Sequence, residues 1–585
     1  MKRFFLLLII GFLVQSCARV GSPVGGPKDS LAPKFLSSNI DSTRIHVSRN
    51  IKELRLDFDE YVTLKDINKN LIISPPIKKI KRILPSNIAN KYVLIQWEDT
   101  LQANTTYNFN FGNSIVDNNE SNVLPYFNFA FSTGEKLDDL YISGEIKDAL
   151  ALKKQNSTEN KLVVGLYQAN DSINYKQKPY YITKVDADGY YELNYLSPGK
   201  YKIIAFEDEN GNSVYDAGKE KVGFQKDILD VEKSISGLNL KVYPSKKALK
   251  YEEMKEVPGG ILMTFEGGPE NVKVLSINDK LQDIKVTHHP KSDSVRIWFD
   301  AVKNNVGQTV TENLKFSYDA DGKQDTVSVF YKYNTKNAMT ISSNNDGNLL
   351  PPKTDFKILS NYVVDKIQPE KWTLKSDSLT THEFTARISE TNPYQILVQS
   401  DFEAGKKYQL TIPKETVESF YDKVLKSYRF DFEADKVENY GSLTLKLQNK
   451  PDYNYWIQLL DSAGKVIYQK YTNVESVKFD IIKPAEYIVR ILVDNNGNKY
   501  WDEADFEKNV FAEDAYTYYK TVIVRPLWDS VEDWDLKDTR TLDNPRPVSL
   551  ANPDNQSQSE TAGKKLIDSN DKELKSDSSI LTPVK

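Results

Sequence analysis

The stretch YKIIAFEDENGNSVYD, Tyr201 to Asp216, decides how this chain is read, because it returns at Tyr487 to Asp502 as YIVRILVDNNGNKYWD. In both copies a tyrosine opens an apolar strand and an aspartate follows seven positions later. Asn-Gly-Asn comes next, and a second aspartate stands eight positions after the first (Asp208 to Asp216, Asp494 to Asp502). An apolar run broken by clustered Asx and Gly is a strand followed by a turn. Its recurrence marks a duplicated module.

The duplication extends upstream. Trp97 to Asp117 aligns without gaps onto Val398 to Glu418 at a shift of 301, which sets Tyr107 on Tyr408, Leu101 on Phe402 and Val116 on Val417. Phe129-Ala130-Phe131 meets Phe430-Asp431-Phe432 at the same shift. The Asp208 loop meets Asp494 at 286, so the second copy has 15 fewer residues in between. Downstream, Pro244 is set against Pro526, each after a similar strand. Length differences confined to loops are what a retained sandwich core permits.

Glu53 to Phe58 and Tyr92 to Trp97 mix alternating and continuous apolar runs, whereas Thr106 to Phe111 and Phe127 to Phe131 alternate at period two. Short strands separated by turn clusters predict an all-β chain of tandem β-sandwiches. The expected divisions are a signal peptide (1–16), a flexible tether (17–30), and sandwich modules at 31–136, 137–245, 246–340 (a spacer), 341–435 and 436–536. A polar, Pro-containing tail at 537–585 cannot bury enough apolar surface to order itself. Five sandwiches in series predict an elongated rod.

With 77 Lys and Arg against 82 Asp and Glu, the chain of 585 residues has a net charge of −5 and no basic footprint for nucleic acid. A length of this order is too great for a single core. Its 34 tyrosines against 4 methionines favour strands over helix bundles. One cysteine excludes an intrachain disulfide framework and any multi-cysteine metal site.

That cysteine has an address. Lys2 and Arg3 precede the apolar run Phe4 to Val14, which is too short for a mature membrane span and reads as an export signal. The run ends Val14-Gln15-Ser16-Cys17, which resembles a bacterial lipobox, with Gln15 a departure from the usual small or β-branched residue. The resemblance implies acylation of Cys17. Several acyl chains, at about 0.8 kcal/mol per buried CH₂, anchor a protein stably. Ala18 in place of an aspartate implies sorting to the outer membrane, with the leaflet open.

The phrases LRLDFDEYV, LQANTTYNFNFGNSIVDNNESN and FNFAFSTG, within about 30 to 135, resemble the bacterial Ig-like domain of the S-layer-protein type found in Bacteroidetes envelope proteins. The leader Gly25-Gly26-Pro27-Lys28-Asp29-Ser30-Leu31-Ala32-Pro33 resembles the same group. Tyr195 to Tyr201 (YLSPGKY) resembles the turn of transthyretin-like or carboxypeptidase-regulatory-like sandwiches. The implied order is Ig-like, transthyretin-like, spacer, Ig-like, transthyretin-like.

The repeated loop is the best candidate for chemistry. Asp208, Asn210, Asn212 and Asp216 fall at positions 1, 3, 5 and 9, with Glu220 at 13; Asp494, Asn496, Asn498 and Asp502 repeat the set, with Asp505 at 12. Hard cations want several oxygens from one tight loop, and Gly211 and Gly497 permit the turn. The pattern resembles calcium loops of transthyretin-like repeats in surface adhesins, which implies a structural Ca²⁺. An Asx-rich turn capped by its own side chains explains the same residues.

Asp followed by Ser or Thr and then an aliphatic residue or threonine occurs nine times, at Ser30, Ser42, Thr100, Ser172, Ser294, Thr326, Ser378, Ser462 and Ser530. Average usage predicts roughly two. The triplet resembles the O-glycosylation sequon of Bacteroidetes exported proteins; plain turn formation accounts for it equally. The histidines (His46, His288, His289, His382) show no zinc spacing, and no nucleophile elbow, P-loop or dinucleotide turn is present. Carboxylates such as Asp57, Asp59 and Glu60 read as a solvated strand face, although two acids across a cleft can hydrolyse a glycoside. Trp501 and Trp528 can stack on sugars or serve a core.

The expectation is a non-enzymatic outer-membrane lipoprotein that docks an envelope protein partner. The alternatives are a surface glycan binder or divergent glycan hydrolase, and a calcium-stiffened adhesin.

Overall fold

A computed structural model describes residues 29–152, 161–169, 173–281, 283–334, 336–343, 348–376, 380–538, 540 and 542. The signal peptide, Cys17, most of the tether and tail, Ser172 and Ser378 lie outside the described residues. Among those described the chain is all-β: strands run from Phe35–Ser38 to Asp529–Asp535, with one four-residue helix, Ile67–Asn70, and two short 3₁₀ turns. No helix among them is long and apolar enough to cross a membrane.

The sheets pair off into five modules, numbered one to five along the chain. In module one, Phe35–Ser38, Glu53–Leu64, Asn90–Trp97 and Ile80–Leu84 form one sheet, and Ile72–Ser74, Thr106–Gly112 and Phe127–Ser132 the other. Period two explains the pairing. Leu54, Leu56, Val93, Ile95 and Trp97 from one sheet meet Phe109, Phe111, Phe129 and Phe131 from the other in a single buried cluster.

Module four repeats this layout and its details. The Tyr107 hydroxyl accepts the Gln102 N–H at 2.9 Å, and the Tyr408 hydroxyl accepts the Glu403 N–H at 2.8 Å, both partners displaced by 301. Tyr107 stacks on Phe131 at 5.9 Å and Tyr408 on Phe432 at 5.7 Å. A tyrosine that bonds back to its own turn fixes the entry of the following strand.

Modules two and five share a second layout. In module two, Tyr181–Lys184, Leu162–Gln168, Gly199–Glu207 and Val222–Phe224 form one sheet, and Tyr190–Leu196, Leu140–Asp148 and Leu240–Val242 the other. In module five the counterparts are Val466–Thr472, Asn454–Leu460, Ala485–Asp494 and Ala515–Thr517, then Ser476–Ile482, Gly441–Gln448 and Asp529–Asp535. Tyr201 donates its hydroxyl to the Ser197 carbonyl at 2.9 Å, and Tyr487 to the Lys483 carbonyl at 2.7 Å, a displacement of 286.

The pairing corrects one alignment. Val522–Val524, which precedes Pro526, lies antiparallel on Ala485–Asp494, as Leu229–Val231 lies on Gly199–Glu207. The strand before Pro244 instead runs parallel to Leu140–Asp148, and its counterpart is Asp529–Asp535 on Gly441–Gln448. Pro526 therefore does not match Pro244; similar short strands set them together in the sequence.

Module three, the spacer, has Lys250–Val257, Gly260–Glu266, Ser294–Trp298 and Lys285–His288 in one sheet and Val272–Ser276, Glu312–Ala320 and Lys323–Tyr331 in the other. Trp298, 2% exposed, ends its strand inside the core of module four, with its ring 5.5 Å from that of Tyr362. Gly259 has φ +82°, and a Cβ there would come within 2.5 Å of the Tyr362 ring and 2.7 Å of Trp298, so the junction needs glycine on both counts.

Modules two and five, distant in sequence, are in contact. Ala504 and Phe506 of module five belong to the same buried cluster as Val163, Ile204, Phe206 and Phe224 of module two. The chain folds back on itself, which corrects the expected rod. Trp298→Ala is predicted to lower stability by about 3–5 kcal/mol. Hydrogen exchange should then accelerate in Gly260–Glu266 and Phe356–Ser360 while 35–132 stays protected.

Candidate functional site

Each repeated loop follows the longest strand of its sheet. In module two, Asp208 accepts the N–H groups of Asn212 and Ser213, both at 3.0 Å, through separate oxygens. Asn210 Oδ1 accepts the Asn212 N–H at 2.9 Å and Asn212 Oδ1 the Val214 N–H at 2.6 Å, while the Asn210 amide donates to Asp216 Oδ2 at 2.6 Å. Gly211 takes φ +71°. Module five repeats this: Asp494 accepts from Gly497, Asn498 and Lys499, Asn496 Oδ1 from Asn498, and Asn498 Oδ1 from Tyr500, while the Asn496 amide donates to Asp502 Oδ2 at 2.6 Å. Tyr471 adds its hydroxyl to Asp494 at 2.6 Å.

The closing acid is a glutamate in both copies. Glu220 accepts the N–H of Glu209 at 3.0 Å and of Asp216 at 2.8 Å. Glu513 accepts the equivalent N–H groups of Asn495 at 2.6 Å and Asp502 at 2.9 Å. Asp505, which the spacing puts in this role, instead accepts the Lys508 N–H and pairs with its ammonium at 3.1 Å. The shift is 286 at Asp502 and 293 at Glu513, so module five carries seven extra residues between them. That insertion hid the true counterpart.

Burial pushes Glu220 and Glu513 above the ordinary glutamate value, against the pull of their backbone donors. Asp494 and Asp502 go the other way. Burial opposes them too, but the Tyr471 hydroxyl and backbone N–H groups hold Asp494 down, and Lys291 and Asn496 hold Asp502 down. The loop oxygens are thus mostly engaged with donors of the protein itself, and Lys291 of module three lies against Asp502. Among the described residues, no three His, Cys, Asp or Glu side chains are placed to hold a metal ion.

The extra residues form a wedge. Ala504 makes a parallel bridge to Ser245, and its carbonyl accepts the Lys246 N–H at 2.7 Å. Phe506 enters an aromatic box of Tyr175, Phe224 and Tyr215, with ring centroids at 4.6, 5.1 and 5.6 Å. The Asn509 Oδ1 accepts the ammonium of buried Lys202 at 2.9 Å, and the Asn509 amide donates to the Lys226 carbonyl at 3.3 Å. Module one covers the opposite edge of the same face with Ile72 and with Ser74, whose Oγ accepts the Ile182 N–H at 3.2 Å.

Modules two, three and five enclose a cleft of about 830 Å³, lined among others by Lys246, Lys291, Asp293, Tyr500, Trp501 and Asp502. Trp501 donates its indole N–H to the Glu513 carbonyl at 3.0 Å and leans on Tyr243. Trp528 is 57% exposed, with the Arg525 guanidinium 5.0 Å from its ring. The histidines are dispersed: His46 lies in module one, His288 and His289 in module three, and His382 against Tyr408 in module four. Of the Ser/Thr acceptors described, Ser30, Ser42, Thr100, Ser294, Thr326 and Ser462 are exposed and Ser530 is half-buried. Asp41 and Asp461 accept the N–H two residues on, at 2.9 Å, so those triplets also form Asx turns.

Residues 29–133 match the bacterial Ig-like domain family. None of the curated proteins compared matches the chain. Among solved structures, the surface layer protein SbsC (domains 1–6) is similar at 13% identity over 85% of this chain and 68% of its own, with a TM-score of 0.15. A DUF3823 family protein from Parabacteroides merdae is similar at 14% identity over 34% of this chain and 100% of its own, TM-score 0.13. The Bacteroides ovatus mixed-linkage glucan protein SGBP-B is similar at 11% identity over 67% of this chain and 95% of its own, TM-score 0.16. Likeness at that level carries no argument about function.

Glu513→Ala removes the buried acceptor of two part-buried N–H groups, those of Asn495 and Asp502, and is predicted to cost about 1–3 kcal/mol. Asp505→Ala, which loses one exposed ion pair and one N–H acceptor, is expected to cost less than about 1 kcal/mol. Urea unfolding of the two variants side by side checks the assignment.

Proposed function

We propose that the chain is a non-enzymatic outer-membrane lipoprotein, held by acyl chains on Cys17, whose sandwich modules form a docking scaffold for another envelope protein. The observation that carries the reading is the docking of module five on module two. The fold already uses a sheet face as a receptor for a loop, and it leaves further faces open. Leu275, Ile277 and Phe330 of module three are 68%, 50% and 74% exposed on one sheet. Large exposed apolar side chains on a sheet face are available for contact with a protein partner. Mass spectrometry of the mature protein is expected to find acylated Cys17 at the N-terminus in the outer-membrane fraction, and Cys17→Ser to release the chain. An unmodified N-terminus in wild type would contradict it.

The cleft between modules two, three and five favours a second reading, a glycan-binding surface. Clefts at domain junctions are common ligand sites, and Tyr500 offers a ring at the rim. Calcium belongs to a third reading, a stiffened adhesin, and at module five it would have to displace Lys291 from Asp502. A melting temperature that rises with calcium, and no longer rises in Asp208→Ala, supports stiffening; equal melting in calcium and chelator leaves the loops as self-capped turns.

A further inference from the structure

One sheet of module three ends on the strand Val272–Ser276, which pairs with Glu312–Ala320 alone. The hydrogen bonds fix which groups that strand leaves over. Ile277 donates its N–H to the Lys315 carbonyl at 3.0 Å, and Asp321 donates to the Asn271 carbonyl at 3.1 Å. Antiparallel partners exchange bonds at every second residue. Asn271, Lys273, Leu275 and Ile277 therefore turn their main chain to the neighbouring strand. Val272, Val274 and Ser276 turn theirs to the open edge, and among the described residues no backbone group outside the sheet bonds to them.

Sheet edges are ordinarily blunted by charge, proline, a bulge or a covering segment, and other edges of this molecule show it. Asp529–Asp535 carries Asp529, Glu532, Asp533 and Asp535. Ile80–Leu84 carries Lys81 and Arg82 beside a register shift. Tyr181–Lys184 is covered by Ser74 of module one. Val272–Ser276 has one charge, Lys273, no proline and an unbroken register. Its outward side is in solvent: Lys273 is exposed, and Leu275 and Ile277, two residues apart, are 68% and 50% exposed. Val272 and Ser276 are half-buried, and the one buried side chain, Val274, points into the core of its own module.

We propose that this edge pairs with the same edge of a second molecule of the chain, antiparallel about a two-fold axis at Val274, so that the two sheets join into one. The register selects the occupant. Val274 meets Val274 of the second molecule and Val272 meets Ser276, which bonds every main-chain group left over on both edges. On the outward side Lys273 of each molecule lies opposite Leu275 of the other, so the one charge of the strand rests on an aliphatic chain and never faces itself. Asn271 lies opposite Ile277. A contact in which the same patch serves both molecules closes on itself and stops at two. The inference builds on the docking-scaffold reading and names what the exposed side of module three takes.

The test is sedimentation velocity on the full mature chain, with Cys17→Ser to remove the lipid and the only thiol. One paired edge makes a small interface, so association is read across a concentration series, which should show monomer and dimer in equilibrium. Leu275→Lys sets a lysine against Lys273 of the second molecule twice over and should weaken dimerisation about tenfold or more. Because Leu275 is exposed, the circular dichroism of that variant should match the parent. The exchanged pair Lys273→Leu/Leu275→Lys again sets leucine against lysine in the same register and should restore the dimer. Amide exchange within 271–277 should slow with rising concentration in the parent and not in Leu275→Lys. A parent that stays monomeric, a dimer indifferent to Leu275→Lys, or an exchanged pair that stays monomeric would overturn the proposal. So would an edge taken by a strand of another envelope protein. Acylation of Cys17 in cells, together with a monomer here, would defeat this inference and leave the lipoprotein reading standing.

Discussion

A β-sheet that is apolar on both faces must be covered on both, and that constraint sets the shape of this molecule. The strand Gly199–Glu207 places Tyr201, Ile203 and Ala205 in its own sandwich and Ile204 and Phe206 outside it. The outer face cannot remain in water without a cost of about 1.5–3 kcal/mol for each large side chain. Module one covers one edge and the wedge of module five covers the rest. The duplicated chain is thereby closed into a loop, with the spacer pinned at the junction by Lys291.

The same constraint explains why the copies diverged where they did. Seven residues were added between Asp502 and Glu513, outside the hydrogen bonds that close the loop, so the Asx turn kept its geometry while the insertion reached another module. A rigid turn at the base and an aromatic side chain at the tip make an effective wedge. One outer row of module five, Gln469, Gln458, Arg490 and Thr517, is polar where the equivalent row of module two, Ile182, Gly165, Ile204 and Phe224, is apolar.

Much of this was legible in the sequence. The shifts of 301 and 286 found the repeated cores, because Tyr107 and Tyr408, or Tyr201 and Tyr487, hold the same bonds in both copies. Period two located the strands of module one. What the repeat does not give is a partner beyond the alignment: the insertion before Glu513 leaves Asp505 at the spacing of the closing acid, and short Val-rich strands set Pro526 against Pro244. The back-folding did leave a trace. Ile203-Ile204-Ala205-Phe206 is a continuous apolar run, the pattern of a strand buried on both sides, whereas the second copy interrupts its run with Arg490. The distances that assemble the cleft and the aromatic box belong to tertiary packing, which no local pattern encodes.

The central claim is that modules two and five are locked together through residues 503–512. The chain has a single native cysteine, Cys17, so with Cys17→Ser in the background the pair Lys226→Cys and Asn509→Cys can be read without interference. Mild oxidation is predicted to join them in a fast-migrating monomer at low protein concentration. A pair that stays reduced, in a molecule whose small-angle scattering fits an open string of sandwiches, would contradict the account.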